Sequence, residues 1–259
     1  MAQKFVSNFC IRETKSLSDK YQIMILECQE DTGGFPNIMP GQFVQIRVDN
    51  SKNTFLRRPI SINDVDVTNK TITLLIRKAG DGTRSICALP TGSSLNLIWP
   101  LGNGFSTDIN SDSRVLLLGG GVGVAPLLYL GKILKQLGHT PEFLLGAQKA
   151  TDLLLLDKFE EIGSVHISTD DGSHGEKGLV TTNSILETHI DKIFCCGPLP
   201  MMKGVATLCK NRGIDCEVSL ENVMACGVGA CLCCVEPTVK GNRCVCTEGP
   251  VFNIKELLW

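Results

Sequence analysis

Between residues 226 and 246 the chain reads CGVGACLCCVEPTVKGNRCVC, a stretch holding six of its 13 cysteines. Cys226, Cys231 and Cys234 follow a C-x4-C-x2-C spacing, and Cys233, Cys244 and Cys246 lie close by. Thiolates delivered at this spacing from one loop, with a more distant cysteine completing the set, suit a plant-type 2Fe-2S cluster. The residues between them are small (Ala225, Gly227, Gly229, Ala230), so backbone N–H groups can approach sulfur without steric obstruction. Structural zinc is one rival, although it favours two separated C-x2-C knuckles over an x4 gap flanked by glycines. A disulfide knot is another, and it requires an oxidising compartment that nothing else in the sequence indicates. A one-electron carrier needs something to exchange electrons with, and the residues before Cys226 must supply it.

The totals leave room for that. A chain of 259 residues, 43% hydrophobic and with a net charge of −2, has the size of about two domains plus a small module. No basic surplus points to nucleic acid, and no charge block points to a disordered tail. The start, MAQKFVSNFCIRETK, lacks the apolar core of a signal peptide, and no run of ~18 apolar residues suggests a membrane span. The outlying cysteines, at positions 10, 28, 87, 195, 196, 209 and 216, are expected to be free thiols in a reducing cytoplasm.

From Phe5 to about Pro100 the pattern is of short strands and turns: KYQIMILEC at 20–28, the turn DTGGFPN, QFVQIRV at 42–48, RRPISI at 57–62, TITLLIR at 71–77 and SLNLIWP. Six strands at this spacing, with one short helix near 83–89, predict an antiparallel β-barrel. Arg58 offers a planar fork to a pyrophosphate and Ser61 a hydroxyl, while Pro59 fixes the backbone between them. A proline on an edge strand beside a surface arginine is the plainer account of those residues. Gly80-Asp81-Gly82-Thr83 opens the short helix and presents backbone N–H groups to an anion.

Residues 114–138 predict a β-strand, a glycine loop (GGGVG) and a helix, VAPLLYLGKILKQL, ended by Gly138. Leu127, Leu128, Leu130, Ile133, Leu134 and Leu137 make its apolar face. Gly120, Gly121 and Gly123 let a dinucleotide pyrophosphate lie against the backbone, and Pro126 can start the helix without losing a hydrogen bond. Strands at 142–146, 164–169 and 192–196 alternate with helices, predicting a parallel sheet. Cys196-Gly197-Pro198 ends the last of these, where such sheets bind ligands. Cys195 is expected to be a buried strand residue, and Met201, Met202, Val205, Leu208 and Cys209 to pack in the core. The region after 146 offers no arginine cluster for a 2′-phosphate, only Lys149, which favours NAD over NADP. His139, His166, His174 and His189 are scattered, and no acid–base dyad is evident, so no catalytic residue is assigned.

Taken together, these motifs resemble the ferredoxin reductase family, and within it the electron-transfer subunits of class 1B, NAD-dependent dihydroorotate dehydrogenases. The matching segments are RRPIS, GDGT, GGGVGVAPLL, TDDGS, CGPLPMM, SLENVMACGVGAC and VCTEGPVF, spread over residues 57–252. Arg58-Pro59-Ile60-Ser61 is similar to the family's R-x-[YF]-[ST] flavin motif, with Ile60 where an aromatic ring is usual. The resemblance implies that Leu75-Ile76-Arg77, with Gly82 and Thr83, lies along FAD, and that PLGNGF (100–105) is the exit from the barrel. It also implies a 2Fe-2S cluster, NAD as co-substrate, and an FMN-containing catalytic partner in a two-plus-two heterotetramer serving pyrimidine synthesis. The expected architecture is an antiparallel flavin-binding β-barrel (1–105), a parallel-sheet α/β nucleotide-binding domain (106–215) and a small C-terminal 2Fe-2S module (216–259). Another NAD(P)H-linked ferredoxin or sulfide oxidoreductase subunit of the same fold is the nearest alternative, and a zinc-bearing nucleotide-binding regulatory module a more distant one. For the fourth cluster ligand, spacing disfavours Cys233, adjacent to Cys234, but leaves Cys244 and Cys246 equal. The resemblance selects Cys246, which precedes the E-G-P-V-F run at 248–252.

Overall fold

A computed structural model describes residues 3–30 and 34–259; Asp31, Thr32 and Gly33 of the expected DTGGFPN turn lie outside the described residues. The first third closes into a six-stranded barrel from β1 (Phe5–Ser16), β2 (Tyr21–Cys28), β3 (Phe43–Ile46), β4 (Arg58–Asp66), β5 (Thr71–Arg77) and β6 (Ser94–Leu101). Its order is β1-β2-β5-β4-β3-β6 and every pairing is antiparallel, as the strand spacing predicts. Alternation decides the inner face. In β2, Met24 and Leu26 are fully buried and pack with Phe9, Ile72, Leu74 and Leu97. Trp99 fills the interior edge-on to Phe9, with ring centroids 4.8 Å apart. Each such side chain contributes about 1.5–3 kcal/mol by leaving water. Strand β3 breaks the alternation: Val44 and Ile46 point into the barrel, yet Phe43 and Gln45 on its outer face are buried too. Another part of the chain therefore covers the barrel there. A helix, α1 (Asp81–Cys87), starts two residues earlier than the pattern suggested.

The second sheet has seven strands in the order β10-β9-β8-β7-β11-β12-β15. Five run parallel through its body: β7 (Val115–Gly120), β8 (Glu142–Ala147), β9 (Ser164–Thr169), β11 (Lys192–Cys196) and β12 (Asp215–Ser219). The two-residue β10 (Glu176–Lys177) extends one edge. All six residues of β7 are buried, as expected of a central parallel strand covered on both faces. Helices α2 (Ala125–Gln136), α3 (Leu156–Glu160) and α4 (Leu199–Arg212) cover it. Leu127, Leu128, Leu130 and Leu134 of α2 are buried, whereas Leu137 is 57% exposed, because the helix stops at Gln136 and the chain turns away at Gly138, φ +92°. Leu137 is thus not part of the apolar face.

The sheet is not wholly parallel. After β12 the chain leaves it, forms the hairpin β13 (Val235–Thr238) and β14 (Gly241–Cys244), and returns as β15 (Val251–Asn253), antiparallel to β12. The expected division at 215/216 falls inside β12. Barrel and sheet are joined through α2: Asn63 Nδ2 donates to the Ala125 carbonyl at 2.8 Å, Tyr129 Oη donates to the Ile38 carbonyl at 3.2 Å, and Lys132 pairs with Asp64.

Candidate functional site

A cleft of about 700 Å³ opens at the C-terminal ends of β7, β8, β9 and β11. Strand order reverses between β7 and β11, one leading to β8 and the other to β12, and parallel sheets of this kind bind ligands at such a reversal. The glycine loop and the Cys196-Gly197-Pro198 turn meet there main chain to main chain. A Cβ on Gly123 would stand 2.5 Å from Gly197 Cα and 2.6 Å from the Cys196 carbonyl oxygen, so no side chain fits at 123. Gly121, at φ +56°, faces open space. Gly120, Gly121, Gly123, Gly197 and Pro198 all line the cleft, while Pro126 is buried in the first turn of α2. Cys196 is 1% exposed and packs in the core behind the cleft, and burial pushes its thiol well above the usual range, so it stays neutral; Cys195 is wholly buried, as expected. Met202, Val205 and Cys209 are core residues. Met201 is not only that. Its sulfur would lie 2.6 Å from a Cβ on Gly120, and it forms part of the cleft wall.

Sequence reasoning missed Lys20 and Tyr21 from the barrel, Asp152 and Asp170 beyond β8 and β9, and Glu221, all of which line the cleft. Asp170 and Glu221 sit inside the TDDGS and SLENVMACGVGAC segments, which marked the family without giving either residue a role, whereas no local pattern places Lys20, Tyr21 and Asp152 in a cleft. Arg77, expected along the flavin, also reaches this wall. Glu221 is open to solvent on the cleft side but walled by protein elsewhere; that desolvation raises its pKa, and Arg77 opposes the rise.

On the barrel, Arg58 begins β4 and its Nη1 donates to the carbonyls of Leu56 at 2.9 Å and Arg57 at 3.2 Å. Its Nε would be 2.7 Å from a Cβ on Gly82, so the missing side chain at 82 lets the guanidinium rest on the first turn of α1. Thr83 shapes that turn: its Oγ1 accepts from the N–H groups of Ala79 and Gly80 and donates to the Gly80 carbonyl. A guanidinium against a glycine-opened helix start fits a diphosphate. Ser61 and Ile60 follow on β4, opposite Phe43 and Val44, both half-buried. Leu75 is 2% exposed and packs in the sheet-side core, and Ile76 is fully buried in the barrel core, so their main chain alone is left to face a cofactor.

The cysteine loop is tied together by N–H···S contacts. Cys226 Sγ accepts from the amides of Val228 and Cys231, both at 3.4 Å; Cys246 Sγ accepts from Gly229 N–H at 3.2 Å; Cys234 Sγ accepts from Cys246 N–H at 3.4 Å. Desolvation opposes ionisation of Cys226, but the amides of Val228 and Cys231 outweigh it and bring its pKa down to about 6. Cys246, fully buried, is pushed up to about 12 by desolvation and by the neighbouring Cys234 thiol. Cys234 is 2% exposed, Cys231 is exposed and Cys226 is half-buried, so the set has a buried edge and an open edge. Cys233 is exposed; Cys244 is half-buried, and its own N–H donates to Glu248 Oε2 at 2.8 Å. Among the described residues no three His, Cys, Asp or Glu side chains close on a single metal ion. Four thiols, three of them (Cys226, Cys234 and Cys246) already accepting peptide N–H groups, suit a two-iron cluster, whose ligands stand further apart than those of one zinc. Beyond Cys246, the E-G-P-V-F run folds onto the barrel exit: Asn103 N–H donates to the Gly249 carbonyl at 2.6 Å and Asn103 Nδ2 to the Glu248 carbonyl at 3.0 Å.

Comparison with known proteins agrees with this geometry. The family model for the iron-sulfur cluster binding domain of dihydroorotate dehydrogenase B matches residues 221–258, and that for an oxidoreductase NAD-binding domain matches 117–207. The electron transfer subunit of dihydroorotate dehydrogenase B (NAD(+)) from Shouchella clausii is 37% identical over 96% of both chains. The subunit of the same description from Caldanaerobacter subterraneus is 41% identical, over 85% of this chain and 87% of its own. This chain belongs to the dihydroorotate dehydrogenase B electron transfer subunit family. Like others of that family, it is an oxidoreductase subunit that uses FAD, an iron–sulfur cluster and NAD to move electrons between NAD and a catalytic subunit. An NADH-dependent reduced ferredoxin-NADP oxidoreductase, solved in work on flavin-based electron bifurcation, superposes with a TM-score of 0.85 at 27% identity, covering 97% of this chain and 90% of its own. The cytochrome b5 reductase domain of Ulva prolifera nitrate reductase shares the fold, with a TM-score of 0.68 at 16% identity over 81% and 94% of the two chains. No helix among the described residues is long and apolar enough to cross a membrane.

Proposed function

We propose that this subunit links an FMN-containing catalytic subunit, which oxidises dihydroorotate, to NAD+, within a cytoplasmic two-plus-two heterotetramer of pyrimidine synthesis. One observation carries the reading. The cysteine loop covers the outer face of β3, where Gln45 lies against Gly227, and Gln45 pairs across the sheet with Pro59 of the RPIS segment. Cluster site and flavin site are therefore neighbours, separated by one strand. Bound FAD supplies the change from single-electron exchange with the cluster to paired transfer with nicotinamide.

The chain's own residues bind and orient. Arg58 and the Gly82 turn hold the diphosphate, with Thr83 fixing the turn and the Ser61 hydroxyl directed to the flavin edge. Gly121 and Gly123 admit the dinucleotide to the cleft, and Gly197 and Pro198 close its floor. Cys226, Cys231, Cys234 and Cys246 hold the cluster. For Cys246 the support is its burial, its Gly229 N–H contact and the pinning of the following run to the barrel exit. Asp152 and Asp170 line the cleft beyond β8 and β9, where the chain offers no arginine cluster for a 2′-phosphate, which favours NADH over NADPH. The units proposed are the barrel to residue 105, the nucleotide domain to 215 and the cluster module beyond, stitched together by β12 and β15.

Co-expression with the catalytic subunit, followed by native mass and flavin analysis, tests the assembly. The expected result is a two-plus-two complex with equal FMN and FAD that reduces NAD+ with dihydroorotate. A complex without FMN, or one that passes electrons from NADH to ferredoxin alone, would replace this reading with the ferredoxin-linked alternative.

A further inference from the structure

Gln45 is fully buried on the outer face of β3, and neither its amide nitrogen nor its amide oxygen has a hydrogen-bond partner. Its neighbour Gln42, 1% exposed, shows how this strand normally treats an amide: Nε2 donates to the Gly102 carbonyl at 2.8 Å and Oε1 accepts from Met39 N–H at 2.8 Å. An unsatisfied buried amide costs on the order of 1–3 kcal/mol, so the exception calls for an explanation. The main chain of Gln45 is firmly held, since its carbonyl accepts from Arg57 Nη1 at 3.1 Å. The side chain points at the cysteine loop. A Cβ on Gly227, one residue from Cys226, would stand 2.6 Å from Gln45 Cγ and 2.8 Å from Nε2. Gly227 also has φ +72°, so the residue next to the first cysteine is glycine on both counts, and the space its side chain would fill is taken by the amide.

We propose that Gln45 sets the reduction potential of the iron–sulfur cluster by donating its amide N–H to the sulfurs held by the Cys226–Cys231 segment. The proposal rests on that segment carrying the cluster. Reduction adds one electron and no proton, making the sulfurs more negative; an N–H aimed at them stabilises the reduced form and raises the potential. The loop's own N–H donors come from Val228, Gly229 and Cys231, all within the loop, whereas Gln45 reaches it from the barrel strand paired with RPIS. Gln45 is thus the contact through which the barrel acts on the cluster.

The test is an EPR-monitored redox titration of the full complex carrying Gln45→Met, which keeps the side chain's bulk without the amide, and Gln45→Glu, which places an acceptor there. Iron, acid-labile sulfide and FAD are measured alongside. With cofactor content unchanged, the reduced-to-oxidised ratio at fixed ambient potential is expected to fall about tenfold in Gln45→Met, 59 mV for one electron, and further in Gln45→Glu. Ratios within about twofold of wild type in both loaded variants would overturn the proposal, twofold being far below one charged hydrogen bond. If neither variant loads, hyperfine spectroscopy of the reduced wild-type complex, labelled with 15N at glutamine side chains, decides: a 15N coupling supports the proposal and its absence refutes it. A wild-type complex containing no iron would instead remove the cluster reading beneath it.

Discussion

The nucleotide cleft is walled by the ends of four parallel strands, and its tightest point, Gly123 against Gly197, is a contact between two main chains. The cysteine loop is built otherwise. Residues 220–234 contain neither helix nor strand, and Leu232 holds the left-handed region at φ +58°, which costs a non-glycine residue about 1–2 kcal/mol. What orders this segment is N–H···S contacts, the flanking strands β12 and β13, and the barrel surface beneath it. The sheet can shape the cleft before any ligand arrives, because its geometry comes from backbone pairing and burial. The loop has fewer contacts of its own, so metal binding there adds free energy to its folding. Loss of a ligand should therefore be all-or-none at the cysteines and graded at the cleft.

The largest expected effect follows directly. Cys246→Ala should abolish the cluster's visible absorption and EPR signal, while Cys244→Ala and Cys233→Ala retain them. In the Cys246 variant, NADH affinity should stay within about twofold of wild type, because strand ends and glycine turns shape the cleft and Glu221 alone reaches it from the loop segment. Retention of the cluster in Cys246→Ala with its loss in Cys244→Ala would show that the fourth ligand is misassigned. On the barrel, Arg58→Ala removes a charge-assisted contact of about 1.5–3 kcal/mol, so FAD should dissociate about ten- to a hundredfold more readily by flavin fluorescence. Unchanged FAD affinity would remove Arg58 from the diphosphate site.

Smaller again is the cleft itself. Gly123→Ala forces two main chains apart at a cost of about 1–3 kcal/mol, and KM for NADH is expected to rise about tenfold with iron and flavin content unchanged. An unaltered KM would mean the Gly123–Gly197 contact is not what shapes the nucleotide site. The smallest effect is on acid stability of the sheet. Arg114 holds the Glu142 carboxyl below its ordinary value, against the opposing effect of burial, with His166 assisting. A carboxyl lowered in the folded state stabilises above its unfolded value of 4.5 and loses that contribution as pH falls through the folded value. Glu142→Gln should thus lower stability near neutrality by at most about 1 kcal/mol, and wild type and variant should converge below pH 4.5 in thermal melts of the nucleotide domain.

The same contrast governs what could be read in the sequence. Strands KIFCC and SVHIST match their observed bounds, the first because a buried parallel strand is a contiguous apolar run, the second, half-buried nearer the sheet edge, through its alternating Val165 and Ile167. The glycine loop was legible for the same reason, since it sits between one strand and one helix. The cysteines declared their chemistry through spacing, but spacing alone left Cys244 and Cys246 equal. What separates them in three dimensions is burial and the attachment of residues 248–250 to Asn103, a contact 145 residues distant along the chain between Asn103 and Glu248. Asp170 and Glu221 lay inside the TDDGS and SLENVMACGVGAC segments without an assigned role, and Gln45 carried no local signal, since each takes its meaning from a neighbour supplied by another element. The expected division at 215/216 cuts β12, because DCEVS, read alone, says nothing about pairing with β11.

Anaerobic addition of NADH to the purified, fully loaded complex, followed by optical and EPR spectra, tests most directly that electrons cross between the cleft and the cysteine loop. NADH in excess of the electrons that both flavins and the cluster can accept is expected to bleach the flavin and elicit the EPR signal of a reduced 2Fe-2S cluster. Bleaching of the flavin with the cluster left oxidised, while dithionite still reduces it, would contradict the account: the two sites would share a chain without sharing electrons.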